Sequence, residues 1–177
     1  PRREARLARE REFHDDRFSD EHRQVAGKYY AVDSGKARYH QLVEGAARTG
    51  SRVLEYGCGT GSKAFDLAAA GSKVVGIDLS GVGVREAAQQ AMTSCLEAEF
   101  LQMDAERLGF APDAFDIVCG SGILHHLDTE RSVEEIHRVL RPGGVAVFFE
   151  PLGTNPLINA YRRLTPSMRT PDEHPLV

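Results

Sequence analysis

The sequence predicts an α/β fold: a doubly wound, mostly parallel sheet in a single domain. Three observations carry that expectation. Five short apolar runs recur along the chain, each separated from the next by a stretch long enough for a helix or a crossover loop. Each run closes on an acid or a glycine, at Glu55, Asp78, Asp104, Gly120 and Glu150. Directly after the first run, Gly57, Gly59 and Gly61 alternate, as expected where a buried strand turns tightly into a helix.

The totals bound the rest. A chain of 177 residues is long enough for one core. Hydrophobic content of 41% and charged content of 27% are those of a water-soluble domain. No apolar run approaches the roughly 20 residues that span a bilayer, and the start lacks the apolar region of a leader. The expectation is a cytoplasmic protein without a transmembrane segment. Cys58, Cys95 and Cys119 are far apart, odd in number and form no CxxC pair, which argues against disulfides and a zinc site. Cys58 and Cys119 read as small packing residues. Residues 41 to 150 carry a net charge of −7, a poor surface for nucleic acid but no obstacle to a cationic ligand. Oligomeric state stays open.

Taken in order, residues 1 to about 26 are mostly charged and read as a solvated helix or partly ordered arm. The whole stretch 1 to 36 is expected to be an N-terminal helical arm or lid. Tyr29 and Tyr30 either cover an edge of the core or place a phenol against cofactor or acceptor. Ala37 to Arg48 shows helical spacing of Tyr39, Leu42, Val43 and Ala46. The strand Arg52 to Tyr56 follows, then a helix from Ser62 to Ala70 stopped by Gly71. Lys73 to Leu79 is the second strand, Val82 to Thr93 an Ala-rich helix, and Ala98 to Met103 the third strand. Ala114 to Gly120 is the fourth. Asp128 caps a helix through Leu140, RPGG at 141 to 144 is a stop and turn, and Val145 to Glu150 is the fifth strand. Residues 37 to 151 thus form the core. Ligands of such sheets bind outside the carboxyl ends of the strands, where the five closing residues fall.

Two cofactor classes fit a glycine turn of this kind. A dinucleotide needs backbone N–H groups for its pyrophosphate and no nearby carboxylate, and Gly59, Gly61 and Ala64 do match the loose GxGxxA pattern. S-adenosyl-L-methionine has a cationic sulfonium and an ammonium instead, which Glu55 at the strand end would favour. Asp78 at the second strand end suits the two hydroxyls of a ribose, present in both cofactors. At the third strand end, Asp104 can accept from an adenine amino group and the Ala105 N–H can donate to the ring. Any one of these acids also suits a helix start, but three acids closing three strands favour a nucleoside.

With these residues placed, the chain resembles the class I S-adenosylmethionine-dependent methyltransferases, in particular the broad small-molecule group often called type 11. The likeness covers about residues 30 to 151 and implies a Rossmann-like fold. It also implies that Glu55, Gly57, Cys58, Gly59 and Gly61 hold the methionine part, Asp78 the ribose and Leu79 the adenine face. Asp104 and Ala105 would hold the adenine edge, and Cys119 and Gly120 would present carbonyls near the ammonium. The stretch ILHHL at 123 to 127 and LRPGG at 140 to 144 also look like the family pattern. The sequence departs from it at the end, where the family sheet has two more strands. Residues 152 to 177 are Pro-rich, which disfavours central strands, so the closing strands are expected to lie beyond this segment. Asn155 and Asn159 suit an acceptor cavity, and Arg162, Arg163 and Arg169 suit an acidic acceptor, a membrane surface or plain solvation.

Methyl transfer expels a neutral thioether, so the protein must align donor and acceptor and often take a proton from the acceptor. The partner implied is a small-molecule acceptor, methylated on oxygen, nitrogen or carbon, with S-adenosyl-L-homocysteine as product. Histidine is the natural base near neutral pH, and adjacent helical residues diverge by roughly 100°, so one of His125 and His126 faces the cavity. By the family likeness this is His125, with His126 given to packing and Glu150 as second candidate. No ligand cluster is evident, so no metal is expected. The competing readings are an NAD-type oxidoreductase and a noncatalytic S-adenosylmethionine-binding module.

Overall fold

The computed structural model describes residues 2–18, 33–61, 63–151 and 172. Five strands, β1 (Arg52–Tyr56), β2 (Lys73–Asp78), β3 (Ala98–Gln102), β4 (Phe115–Ser121) and β5 (Leu140–Phe149), form one sheet in the order β3-β2-β1-β4-β5. Every pairing is parallel. The order reverses between β1 and its neighbours β2 and β4, so a crevice opens at the carboxyl end of β1, where the glycine turn begins.

Helices α1 (Arg2–Phe18), α2 (Asp33–Ala46), α3 (Ala64–Ala69), α4 (Gly81–Thr93) and α5 (Thr129–Val139) surround the sheet. Strand alternation divides the core into two layers. Val53, Ile117 and Cys119 pack with Tyr39 and Val43 of α2, Leu67 of α3 and Ala87 of α4. Leu54, Tyr56 and Val118 point the other way, onto Ile136 and Val139 of α5 and onto Leu108 and Phe115. A central parallel strand must therefore be apolar on both faces, and β1 is buried from Val53 through Tyr56.

Strand positions follow the sequence closely, since β1 coincides with its expected range, β2 and β3 end one residue early, and β4 is shifted by one residue at both ends. Larger differences have local causes. RPGG does not separate α5 from β5: Phe115 pairs with Leu140 and Ile117 with Val145, so residues 141 to 144 form a bulge inside β5, with Gly143 at φ 77°. The expected helix from Ser62 starts at Ala64 instead, for a reason given below. Helix α2 begins earlier than expected, at Asp33. The expected closing strands, Asn155, Asn159, Arg162, Arg163, Arg169, Tyr29 and Tyr30 lie outside the described residues. No described helix is long and apolar enough to cross a membrane.

Leu54 is fully buried at the centre of the second layer. Leu54→Ala is expected to cost about 2–5 kcal/mol by leaving a cavity, whereas Met92→Ala on the exposed face of α4 stays within about 0.5 kcal/mol. Chemical denaturation midpoints of the two variants check this.

Candidate functional site

The loop after β1 is built around two carboxylates. Gly57, Gly59 and Gly61 all adopt left-handed backbone, at φ 63°, 51° and 95°. A Cβ at Gly57 would come within 2.9 Å of the Ile123 side chain, and one at Gly61 within 2.3 Å of the Phe65 ring. Glu55, 1% exposed, accepts from the backbone N–H groups of Lys63 (3.0 Å) and Ala64 (2.8 Å). Lys63 offers no side-chain cap of its own to α3, so Glu55 supplies it from the strand end and fixes where the helix starts. The sequence reading gave this carboxylate to a ligand's ammonium. In the structure each oxygen first serves the loop.

Asp78 braces the loop from the neighbouring strand. One oxygen accepts from Gly59 N–H and the other from Ser80 N–H, both at 2.8 Å. Ser80 then caps α4, its Oγ accepting from Gly83 N–H at 3.1 Å. A carboxylate has about four lone-pair sites, so Asp78 retains two for hydroxyls of a ligand. It lines a cleft of about 200 Å³ together with Gly57, Leu79, Gly122, Ile123 and residues of α1. Gly83 lets α4 approach so closely that a Cβ there would lie 3.0 Å from the Gly59 carbonyl oxygen. Bare glycine backbone and a carboxylate with spare acceptors fit a nucleoside carrying cationic groups, and the two acids would repel a pyrophosphate.

Asp104 is further along the same edge. It accepts from Glu106 N–H at 2.9 Å and pairs with Arg3 of α1. Ala105 beside it is buried. Cys58 and Cys119 are buried too, and burial pushes both thiols up, as expected of packing residues. Cys119 and Gly120 pair with Glu55 and Tyr56 of β1, at the crevice. Tyr30 lies outside the described residues.

The two histidines form a short 3-10 turn, Leu124–His126, and both are buried. They are claimed by different elements. His125 Nδ1 lies 2.7 Å from Glu150 Oε2, while Glu150 Oε1 accepts from Ile123 and Leu124 N–H, each at 2.9 Å. Glu150, offered by the sequence as a second base, is thus fully engaged in holding the turn and the ring. His126, given by the sequence to packing, lines the cleft instead, with Nδ1 3.2 Å from Glu10 Oε2. Burial lowers its proton affinity; the Glu10 hydrogen bond opposes that, and His125 and His14 reinforce it.

Helix α1 is where the sequence reading departs most from the structure. Its charges are not simply solvated, because the helix runs along the carboxyl edge of the sheet. Arg3 and Arg6 pair with Glu106, and Arg6 also donates to the His126 carbonyl at 2.9 Å. Asp15 accepts from Ser80 Oγ and from Val82 N–H. The Phe18 ring covers Gly59, 2.9 Å from where its Cβ would stand. The only sequence signal was the recurrence of Arg6, Glu10, His14 and Arg17 at helical spacing, which defines a face but not its partner.

A doubly wound parallel sheet with a glycine turn at its switch point and an acid closing the neighbouring strand defines a Rossmann-like domain. Residues 54 to 148 match the family model described as a methyltransferase domain, and the chain belongs to that family. It is 32% identical over 126 residues to the ubiquinone biosynthesis O-methyltransferase of Pseudomonas syringae pv. tomato, covering 70% of this chain and 54% of the relative. Among solved structures it resembles the cyclase SpnF, with a TM-score of 0.60 and 34% identity over 64% of this chain and 44% of the other. It also resembles the YcgJ protein of Bacillus, with a TM-score of 0.68 and 25% identity over 79% and 62%. The chain spans about half the length of the curated relatives it matches.

Removing the Glu55 carboxylate tests the brace directly. Glu55→Ala strands two buried N–H groups, at about 1–3 kcal/mol each, and is expected to accelerate amide exchange at Lys63 and Ala64 before the strands are affected. Hydrogen-exchange mass spectrometry of residues 56 to 68 reads this.

Proposed function

We propose that the chain is the donor-binding part of an S-adenosylmethionine-dependent methyltransferase that acts on an oxygen, nitrogen or carbon of a small-molecule acceptor. The observation that carries this reading is the Asp78 carboxylate, braced on Gly59 and Ser80 with acceptor sites left over, on the wall of a cleft at the sheet's switch point. Asp78 takes the ribose hydroxyls and Leu79 packs on the adenine face. Asp104 and Ala105 meet the adenine edge, a role that requires Arg3 to yield the Asp104 carboxylate. Gly57, Cys58, Gly59 and Gly61 receive the methionine part as bare backbone, with Glu55 acting through the loop, and the Cys119 and Gly120 carbonyls face the ammonium.

The bound cofactor supplies an electrophilic methyl group on a cationic sulfur. The chain's own residues hold the acceptor in line and manage its proton. His125 is the base. Glu150 is a positioning residue: by accepting from Nδ1–H it places the imidazole lone pair on Nε2 and stabilises the protonated ring that follows. Hydroxylated aromatic acceptors are the first class to test, because the relatives include a ubiquinone biosynthesis O-methyltransferase and a demethylmenaquinone methyltransferase. One neighbour is a cyclase, so the fold alone does not dictate methyl transfer.

Calorimetric titration separates the cofactor classes. S-adenosyl-L-methionine and S-adenosyl-L-homocysteine are expected to bind and NAD not to, and Asp78→Ala is expected to weaken binding about 10- to 100-fold through two lost charge-assisted hydrogen bonds. Transfer of labelled methyl to a panel of hydroxylated aromatics, using the full-length protein, tests the activity. His125→Ala should lower turnover by about 10²–10⁴ with donor affinity intact, and Glu150→Gln should shift the pH profile of kcat. Binding of NAD in place of the sulfonium nucleoside would reject the reading.

A further inference from the structure

Glu10, His14 and His126 bring three ligand-type atoms within 4.8 Å of one another on the wall of the cleft. We infer that these side chains form a site for a divalent transition metal of the zinc class, which clasps α1 to the turn after β4. Glu10 and His14 stand one turn apart on α1 and share a face, while His126 arrives from the turn, more than a hundred residues away in sequence. His14 Nε2 lies 3.6 Å from Glu10 Oε2, and His126 Nδ1 lies 3.2 Å from the same oxygen. Donors held about 2.0–2.1 Å from a tetrahedral ion stand roughly 3.4 Å apart, so these spacings accept an ion with little movement.

The donor set is chemically apt. Two imidazoles and one carboxylate are ligands that zinc takes while leaving a fourth position open, and all three residues line the cleft. Glu10 and His126 are 3% and 7% exposed, so an ion held there would be shielded from bulk water. Neighbours hold the ligands in place: Arg6 grips the His126 carbonyl, and the His125 ring lies 4.2 Å from that of His126. A second gathering, His40, Glu44 and Asp66, is more exposed, and the Lys63 ammonium stands among its members, 3.0 Å from Asp66 and 3.4 Å from His40.

Because Gly57, Asp78 and Leu79 line the same cleft, an ion there would hold α1 over the ground the proposed donor needs. The site itself stands apart from that reading, and its test uses no donor. The chain, stripped with chelator and dialysed, is titrated with Co(II) in the visible range. Expected are one intense four-coordinate Co(II) spectrum per chain, its displacement by Zn(II), and an affinity loss of at least about 100-fold in both His14→Ala and His126→Gln, more than outer-shell changes cost. His14 sits on a surface helix, and circular dichroism confirms that this variant folds. His137→Ala, exposed on α5, should keep the spectrum. Absence of the spectrum in the parent chain, its survival in either ligand variant, or its loss in His137→Ala overturns the site.

Discussion

The site depends on one buried carboxylate. Glu55 sits at the end of the central strand with almost no access to water, a position that is costly unless its charge is fully hydrogen-bonded. The amides of Lys63 and Ala64 meet that need, and in meeting it they bend the chain back over β1. The glycines absorb the bend in left-handed backbone, and Asp78 fixes its far side through Gly59. The loop is therefore preorganised by protein groups before any ligand arrives. What it offers a ligand is glycine backbone without side chains and half of a carboxylate, a surface that favours cations and hydroxyls over phosphate.

Much of this was legible because parallel sheets leave a strong signature. Strands buried on both faces read as continuous apolar runs, and their carboxyl ends are marked by acids that accept from backbone amides of the loops. Glu55 shows the limit of such reading. An acid at that position is recognisable, yet the sequence does not tell a helix cap eight residues away from a ligand contact, since both want a carboxylate there. Similarly RPGG reads as a stop and turn, but a bulge inside a strand and a turn between elements have the same composition.

Helix α1 was illegible for a different reason. Buried ion pairs look like surface charge in a sequence, because the partner that pays the desolvation lies elsewhere in the chain. Arg3 and Arg6 pair with Glu106, and Glu10 meets His126, across separations of about a hundred residues. Helical spacing identified the face; only the packed chain identifies what it covers.

The adjacent histidines bring these strands of argument together. On a regular helix one of two neighbours turns inward and the other outward, but the 3-10 turn after β4 lies between β5 and α1 and buries both. Each ring is then assigned by its carboxylate. Glu150, anchored at the end of β5 by two backbone amides, holds His125 as part of the rigid sheet edge. Glu10 belongs to α1, so His126 is coupled to the position of that helix. Neighbouring residues of one type can thus divide two tasks, one set by the sheet and one by the arm, because the groups that orient them belong to different elements: a hydrogen-bonded strand in the one case and a charged helix laid across the cleft in the other.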